Sequence, residues 1–299
     1  MLRILRLFAL PAIIIGVLAA AALPPQRLRP SDVDRLPSKP ADARITYGTD
    51  PLQFGELRLP KGNGPFPVAV VIHGGCWVSR FATLQNTAAL ADALRDAGIA
   101  TWNVEYRRVD NPGGGWPGTF ADIAAATDHV RAMARQHPVD VTRVVTIGHS
   151  AGAHLALWAA ARARLPATSV LRRENPLTLR AAIALGGPGD LRDFYRYGDQ
   201  ICGSNVVEKL MGGGPDALPD RYAQGSPVEL LPLGVPQVLI VGAEDGVMPK
   251  PSRDRYSTAA TQAGDRVEVI EVPGGHFEVI APSSAAWPTV LYTVRRLVK

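Results

Sequence analysis

From about residue 44 the chain alternates short apolar runs with longer stretches of helical spacing. "RVEVIEVPGG" (266–275) reads as a strand that alternates with glutamate, whereas "PVAVVIHGG" (67–75), "IATWNVEYR" (99–107), "RVVTIGH" (143–149), "LRAAIALGG" (179–187) and "PQVLIVGA" (236–243) each hold a mainly apolar centre bounded by glycine, proline or charge. Runs with no polar face are buried on both sides, as strands of a parallel sheet are. Between them "NTAALADALRDAG" (86–98), "TFADIAAATDHVRAMARQ" (119–136), "SAGAHLALWAAARAR" (150–164), residues 251–263 and a final segment reaching "VLYTVRRLVK" repeat apolar residues at helical spacing. This order predicts an α/β fold, a mostly parallel central sheet with helices on both faces. "LQFGELRLP" (52–60) alternates instead, and predicts an exposed antiparallel strand near an edge.

Two regions break the rhythm. Residues 187–234 are rich in Gly, Pro and Asp, and so long a stretch between regular strands predicts a lid insertion. Its Phe194, Tyr195, Tyr197 and Met211 suit either an apolar, aromatic-accepting site or the interior of the lid itself. At the N-terminus, Arg3 and Arg6 precede an uncharged run from Leu7 to Pro25 that contains Ala20-Ala21-Ala22. Residues 1–23 therefore read as a signal peptide that exports the protein, to the periplasm or beyond; the alternative is a membrane tether through 7–23. No cysteine lies near a cleavage position, which argues against a lipoprotein. Residues 24–43, with their Pro, Arg and Asp, read as a linker, leaving 44–299 as one domain.

Composition narrows the function classes. An apolar share of 46% and a charged share of 20% suit a globular protein with a large core. The net charge of +5 is modest, and no basic stripe is interleaved with aromatics, which argues against a nucleic-acid partner. No His/Cys spacing suggests a metal site, and no motif calls for a cofactor. The two cysteines, Cys76 and Cys202, are too few for a disulfide scaffold.

The candidate chemistry centres on "GHSAG" (148–152), set between the strand ending at His149 and the helix starting after Ser150. A lone G-x-S-x-G is weak evidence, but a strand-turn-helix context is what a nucleophile elbow requires. Serine attacks poorly until a base takes its proton. Of six histidines, His129 and His137 fall on a solvent-facing helix, His149 and His154 belong to the elbow, and His73 ends a strand. His276 follows "VEVIEVPGG", in a loop at a strand's C-terminal end where active-site loops of open α/β sheets gather. The carboxylate best placed to orient it is Asp245, just past "QVLIVGA"; Glu244 beside it and Asp190 after "ALGGPG" remain alternatives. "HGGCW" (73–77) supplies bare backbone at another strand end, so the N–H groups of Gly75 or Cys76, with that of Ala151, are the candidate oxyanion donors.

With these residues the chain from about 45 to its end resembles an α/β-hydrolase. "HGGCW" and "GHSAGAHLALW" resemble the esterase/arylformamidase-like group, also described as feruloyl-esterase-like, whose oxyanion motif is His-Gly-Gly-x-Trp. The resemblance implies a serine hydrolase without a cofactor, with Ser150, Asp245 and His276 as its triad. Cys76 stands where lipases related to hormone-sensitive lipase carry a third glycine, so their substrate range does not transfer. The leading expectation is hydrolysis of a small-molecule carboxylic ester through an acyl-enzyme. Amide or formamide hydrolysis by the same residues is the first alternative. A non-catalytic binding module of this fold is the second, and it is disfavoured because no triad member is missing. A thiol nucleophile at Cys76 lacks the elbow that Ser150 has. Cys76 is instead expected to act through its backbone N–H with both thiols free. A Cys76–Cys202 bridge tethering the lid is the rival, for which the sequence offers no proximity.

Overall fold

The computed structural model describes residues 27–299. The signal-peptide or tether segment 1–23 lies outside them. Helix α1 (Pro30–Asp34) comes first, followed by strands β1 (Ala43–Thr46), β2 (Phe54–Arg58) and β3 (Phe66–Ile72). Then come α2 (Ala88–Asp96), β4 (Ala100–Val104), α3 (Gly118–Asp128), α4 (Val130–Met133), β5 (Val139–His149) and α5 (Ala151–Ala161). After β6 (Ala181–Leu185) the insertion carries α6 (Leu191–Tyr195), α7 (Gly198–Cys202), α8 (Val206–Met211) and α9 (Pro219–Gly225). The chain closes with β7 (Gln237–Gly242), α10 (Lys250–Gln262), β8 (Val267–Val272) and α11 (Trp287–Leu297).

The eight strands form one sheet in the order β1-β2-β4-β3-β5-β6-β7-β8. Strands β3 to β8 are parallel, and β1 and β2 are antiparallel additions at one edge. Alternate residues of each central strand feed two separate cores. Val68, Val70 and Ile72 of β3 pack with Phe120 and Ile123 of α3 and Leu155 and Trp158 of α5. Ala69 and Val71 face the other way, toward Leu90 and Leu94 of α2 and Val290 and Val294 of α11. Burial on both faces is why these strands carry no polar alternation.

Two expectations need correction. Strand β2 is antiparallel as predicted but mostly buried, because β1 pairs outside it and takes the edge. Residues 24–43 are not a linker where they are described. Val33 of α1 is 1% exposed inside the second core, with Leu28 and Leu36 packed around it. Within the 187–234 insertion, Phe194, Leu210, Met211 and Tyr222 are buried and join the core containing Phe120 and Trp158, which is the second of the two readings given for its aromatics.

Candidate active site

The C-terminal ends of β3, β5, β7 and β8 meet around Ser150. This residue sits between β5 and α5 with φ 55° and ψ −119°, a left-handed conformation that costs a non-glycine residue about 1–3 kcal/mol. The two flanking glycines make the turn possible. A Cβ on Gly148 would run into the Gly152 carbonyl, and one on Gly152 into the carbonyls of Ile72 and His73. The strained turn is pinned by the Ser150 N–H, which donates to the Leu185 carbonyl at 2.8 Å. Ser150 is 8% exposed, so its hydroxyl lies at the floor of a cavity rather than on an open surface.

That cavity, about 290 Å³, also takes in His276 and the Gly75–Cys76 loop, and its walls include Phe81, Ile201, Val247 and Phe277. His276 Nδ1–H donates to Asp245 Oδ2 at 2.9 Å, which leaves Nε2 free to accept. The other Asp245 oxygen accepts the N–H groups of Val247 (2.7 Å) and Met248 (3.3 Å). Burial pushes the Asp245 carboxyl up, but the bond from His276, its charge and the Val247 donor together hold it below the usual carboxylate value. Room for the pair comes from Gly186, at φ +59°, where a Cβ would lie 2.6 Å from Asp245 Oδ2 and 3.1 Å from His276 Nδ1. No direct hydrogen bond joins Ser150 to His276, though both line the cavity.

The alternatives sort themselves by geometry. Glu244 is exposed and pairs with Arg27 at 2.6 Å. Asp190 caps α6, accepting the N–H groups of Arg192 and Asp193 at 2.8 and 3.1 Å. Neither carboxylate faces His276. Phe194, Tyr195, Tyr197 and Met211 do not line the cavity; its aromatic walls are Phe81 and Phe277.

The oxyanion candidates lie on a strained loop. Gly75, Cys76 and Trp77 have consecutive φ values of 97°, 53° and 56°, and two of the three carry side chains. The N–H groups of Gly75, Cys76 and Ala151 donate to no other group among the described residues, so they are available to a ligand. Several contacts hold the loop in place. Trp77, 1% exposed, packs edge-on against His154 and Phe194. Beneath it, His73 Nε2 meets Glu105 Oε1 at 3.0 Å, and Arg108 reaches the same oxygen at 2.6 Å. Burial would raise the Glu105 carboxyl, but His73 and Arg108 outweigh it and hold it low. The Tyr106 hydroxyl donates to the His73 carbonyl at 2.9 Å.

The expectation of two free thiols is overturned. Cys76 and Cys202 form a disulfide, with Cα atoms 5.7 Å apart, because α7 of the insertion lies over the strained Gly75–Trp77 loop. The bridge joins positions 126 residues apart, a proximity set by tertiary packing.

Sequence reasoning also missed His149. The sequence gives it no partner in the elbow, yet its Nε2–H donates to the His276 carbonyl at 2.9 Å and its ring lies 4.5 Å from that of His276. Burial first, then the charge of His276, pushes its pKa down to about 3, so it is a neutral donor. His129, expected at the surface, is half-buried and stacked on Trp102. A larger open groove of about 960 Å³ lies at the opposite ends of the strands, among Arg180, Gln237, Asp265 and Arg296, and contains none of these residues.

Comparison with known proteins agrees with this architecture. Esterase LipC of Mycobacterium tuberculosis (strain ATCC 25618 / H37Rv) is 25% identical over 260 residues, covering 82% of this chain and 62% of its own length. The chain thus spans only about three-fifths of that relative. The fold matches a truncated carbohydrate esterase from gut microbiota, with a TM-score of 0.72 at 20% identity, covering 87% of this chain and 99% of that one. It also matches Esterase B from Lactobacillus rhamnosis inhibited by a C4-C4 SN3 tributyrin phosphonate, with a TM-score of 0.72 at 18% identity and 87% of each chain covered. The BD-FAE family model matches residues 56–256, which contain the strained loop, the elbow and Asp245, and so the chain belongs to the BD-FAE family of α/β-hydrolases.

Proposed function

We propose that this protein is a carboxylic-ester hydrolase working through an acyl-enzyme, with Ser150 as nucleophile, His276 as general base and Asp245 as the acid that orients it. The observation that carries the reading is the 2.9 Å Asp245–His276 bond opening onto the same cavity as a serine held at positive φ. His276 Nε2 takes the Ser150 proton as Oγ attacks the ester carbonyl, and the Asp245 carboxylate stabilises the imidazolium that forms. The oxyanion is received by the N–H of Ala151 and by that of Gly75 or Cys76. His276 then returns the proton to the leaving alcohol, and a water repeats the cycle on the acyl-enzyme.

The substrate class follows from the walls. Among the described residues no Asp, Glu, Lys or Arg lines the 290 Å³ cavity, and Phe81, Ile201, Val247 and Phe277 present hydrocarbon. Uncharged esters of small to medium apolar acids fit it. The esterase names of the relatives support ester over amide chemistry. Export through residues 1–23 is our reading of the N-terminus, and a disulfide fits an oxidising compartment.

The test is a panel of p-nitrophenyl esters of increasing acyl length, run beside an anilide and a formamide, on wild type and Ser150→Ala. Ester turnover should dominate, and Ser150→Ala should lose at least about a thousandfold while keeping its circular dichroism. A fluorophosphonate should label wild type at Ser150 alone. Labelling at another residue, or an active alanine variant, would sink the assignment.

A further inference from the structure

The segment that precedes the sheet runs directly across the mouth of the site. Pro30 lines the cavity that holds Ser150 and His276. Upstream, the Leu28 N–H donates to Glu278 Oε1 at 2.7 Å, and the other oxygen of that carboxylate, Oε2, accepts the Gly275 N–H at 2.9 Å. One side chain therefore ties this strap to the residue before His276, across 250 positions of sequence. The Arg27 guanidinium adds a second tie on Glu244, the neighbour of Asp245. Downstream, Asp34 Oδ1 accepts from Asn86 Nδ2 at 3.1 Å and the Asp34 carbonyl from Gln85 Nε2 at 3.2 Å. Asn86 itself lines the cavity. Between these anchors Val33 is buried.

We propose that residues 27–34 are a fixed wall of the active site, with Pro30 limiting the size of the group accepted beside Ser150 and Glu278 acting as the positioning residue that locks the wall to the His276 loop. The size limit rests on the esterase reading above; the locking does not. A strap anchored on both sides of the cavity closes a face that the sheet and its connections leave open. Because each Glu278 oxygen holds one side, losing either bond unties the strap from the loop. Glu278→Gln is close in size but has one carbonyl oxygen for two N–H donors, so one bond must go.

Two measurements test this. Hydrogen exchange followed by mass spectrometry needs no turnover: Glu278→Gln should speed exchange at least fivefold in the peptide covering 27–34, in that covering 274–278, or in both, and Glu278→Asp should restore part of the protection. On the ester panel, Pro30→Trp should lower the octanoate-to-acetate ratio of kcat/KM at least tenfold, and Pro30→Ala should raise it. Glu278→Gln should lower kcat about tenfold on every ester with KM within threefold, scaled to sites titrated by fluorophosphonate. Exchange that stays at the wild-type rate in both peptides in Glu278→Gln overturns the locking. An acyl-length profile indifferent to both Pro30 variants overturns the wall. If wild type cleaves no ester at all, the catalytic reading falls, and the exchange data still decide the locking.

Discussion

Mild acid should cost this protein much of its stability, and two buried histidines supply the reason. His149 and His154 are 1% and 0% exposed. Each has one donating nitrogen, to the carbonyl of His276 and of Gly225 respectively, and one buried nitrogen without a partner. Burial, aided at His149 by the charge of His276, pushes their pKa values down to about 3 and about 4. An unfolded histidine titrates near 6.5. Below that pH the unfolded chain binds protons that the native state refuses, so the stabilisation is complete above about 6.5 and drains as the pH falls toward the folded values. Between pH 7 and 5 proton uptake by each unfolded histidine tips the balance about 25-fold toward the unfolded chain, about 2 kcal/mol, and the pair about 4 kcal/mol. That is a large share of the 5–15 kcal/mol typical of a domain. Urea unfolding at pH 7, 6 and 5, followed by tryptophan fluorescence, reads this as a falling midpoint at constant m-value. His154→Phe should start less stable, having lost the bond to Gly225, and should show about half the wild-type loss over the same range. A wild-type midpoint that moves by less than about 1 kcal/mol equivalent, or a variant with the full wild-type slope, would refute the argument.

Asp245→Asn should reduce kcat about 10³–10⁴-fold by disturbing the tautomer and charge of His276, whereas Glu244→Gln, which breaks only an exposed pair with Arg27, should stay within about threefold; the ester assay separates them, and the reverse order would show that the acid is misassigned. Cys202→Ser should lower stability by about 2–4 kcal/mol, since the bridge closes a loop of over a hundred residues, and alkylation with intact-mass analysis of the wild type should find no free thiol before reduction. Trp77→Ala should cost about 3–5 kcal/mol in urea titration by emptying the space against His154 and Phe194, and a surviving fold should have lower kcat because the oxyanion loop loses its wedge.

What the sequence disclosed follows from where the determinants lie. Strands buried on both faces announce themselves as uninterrupted apolar runs, so β3, β5, β6 and β7 were legible, as were the helices between them. Ser150 was legible because the elbow's demands are local: Gly148 and Gly152 must lack side chains within four residues of the hydroxyl. His276 and Asp245 were legible by position, each a short step past a strand's C-terminal end. Burial of β2 was not, because it depends on β1 taking the edge, a pairing that leaves no mark in the residues of β2. The insertion was visible as a break in rhythm, but its sequence could not say which side its aromatics face. Phe194 and Met211 turned to the core, and Phe81 and Phe277, in unremarked loops, became the walls of the cavity.

The unread features share a further property: each is a contact between segments far apart in the chain whose chemistry is ordinary on its own. A cysteine in a strained loop and another 126 residues on become a tether only because α7 passes overhead. A proline-rich stretch after an apolar run looks like a spacer until one glutamate, Glu278, is seen to take N–H groups from both Leu28 and Gly275. His149 belongs with them. Inside the G-x-S-x-G signature it fills the variable position, where sequence logic assigns nothing, yet its Nε2–H holds the carbonyl of His276 itself. The residues that perform the proposed chemistry are thus set by local rules, while those that aim them are recruited from across the fold. A buried neutral donor suits that work, since a cationic one would repel the imidazolium that the proposed mechanism makes of His276.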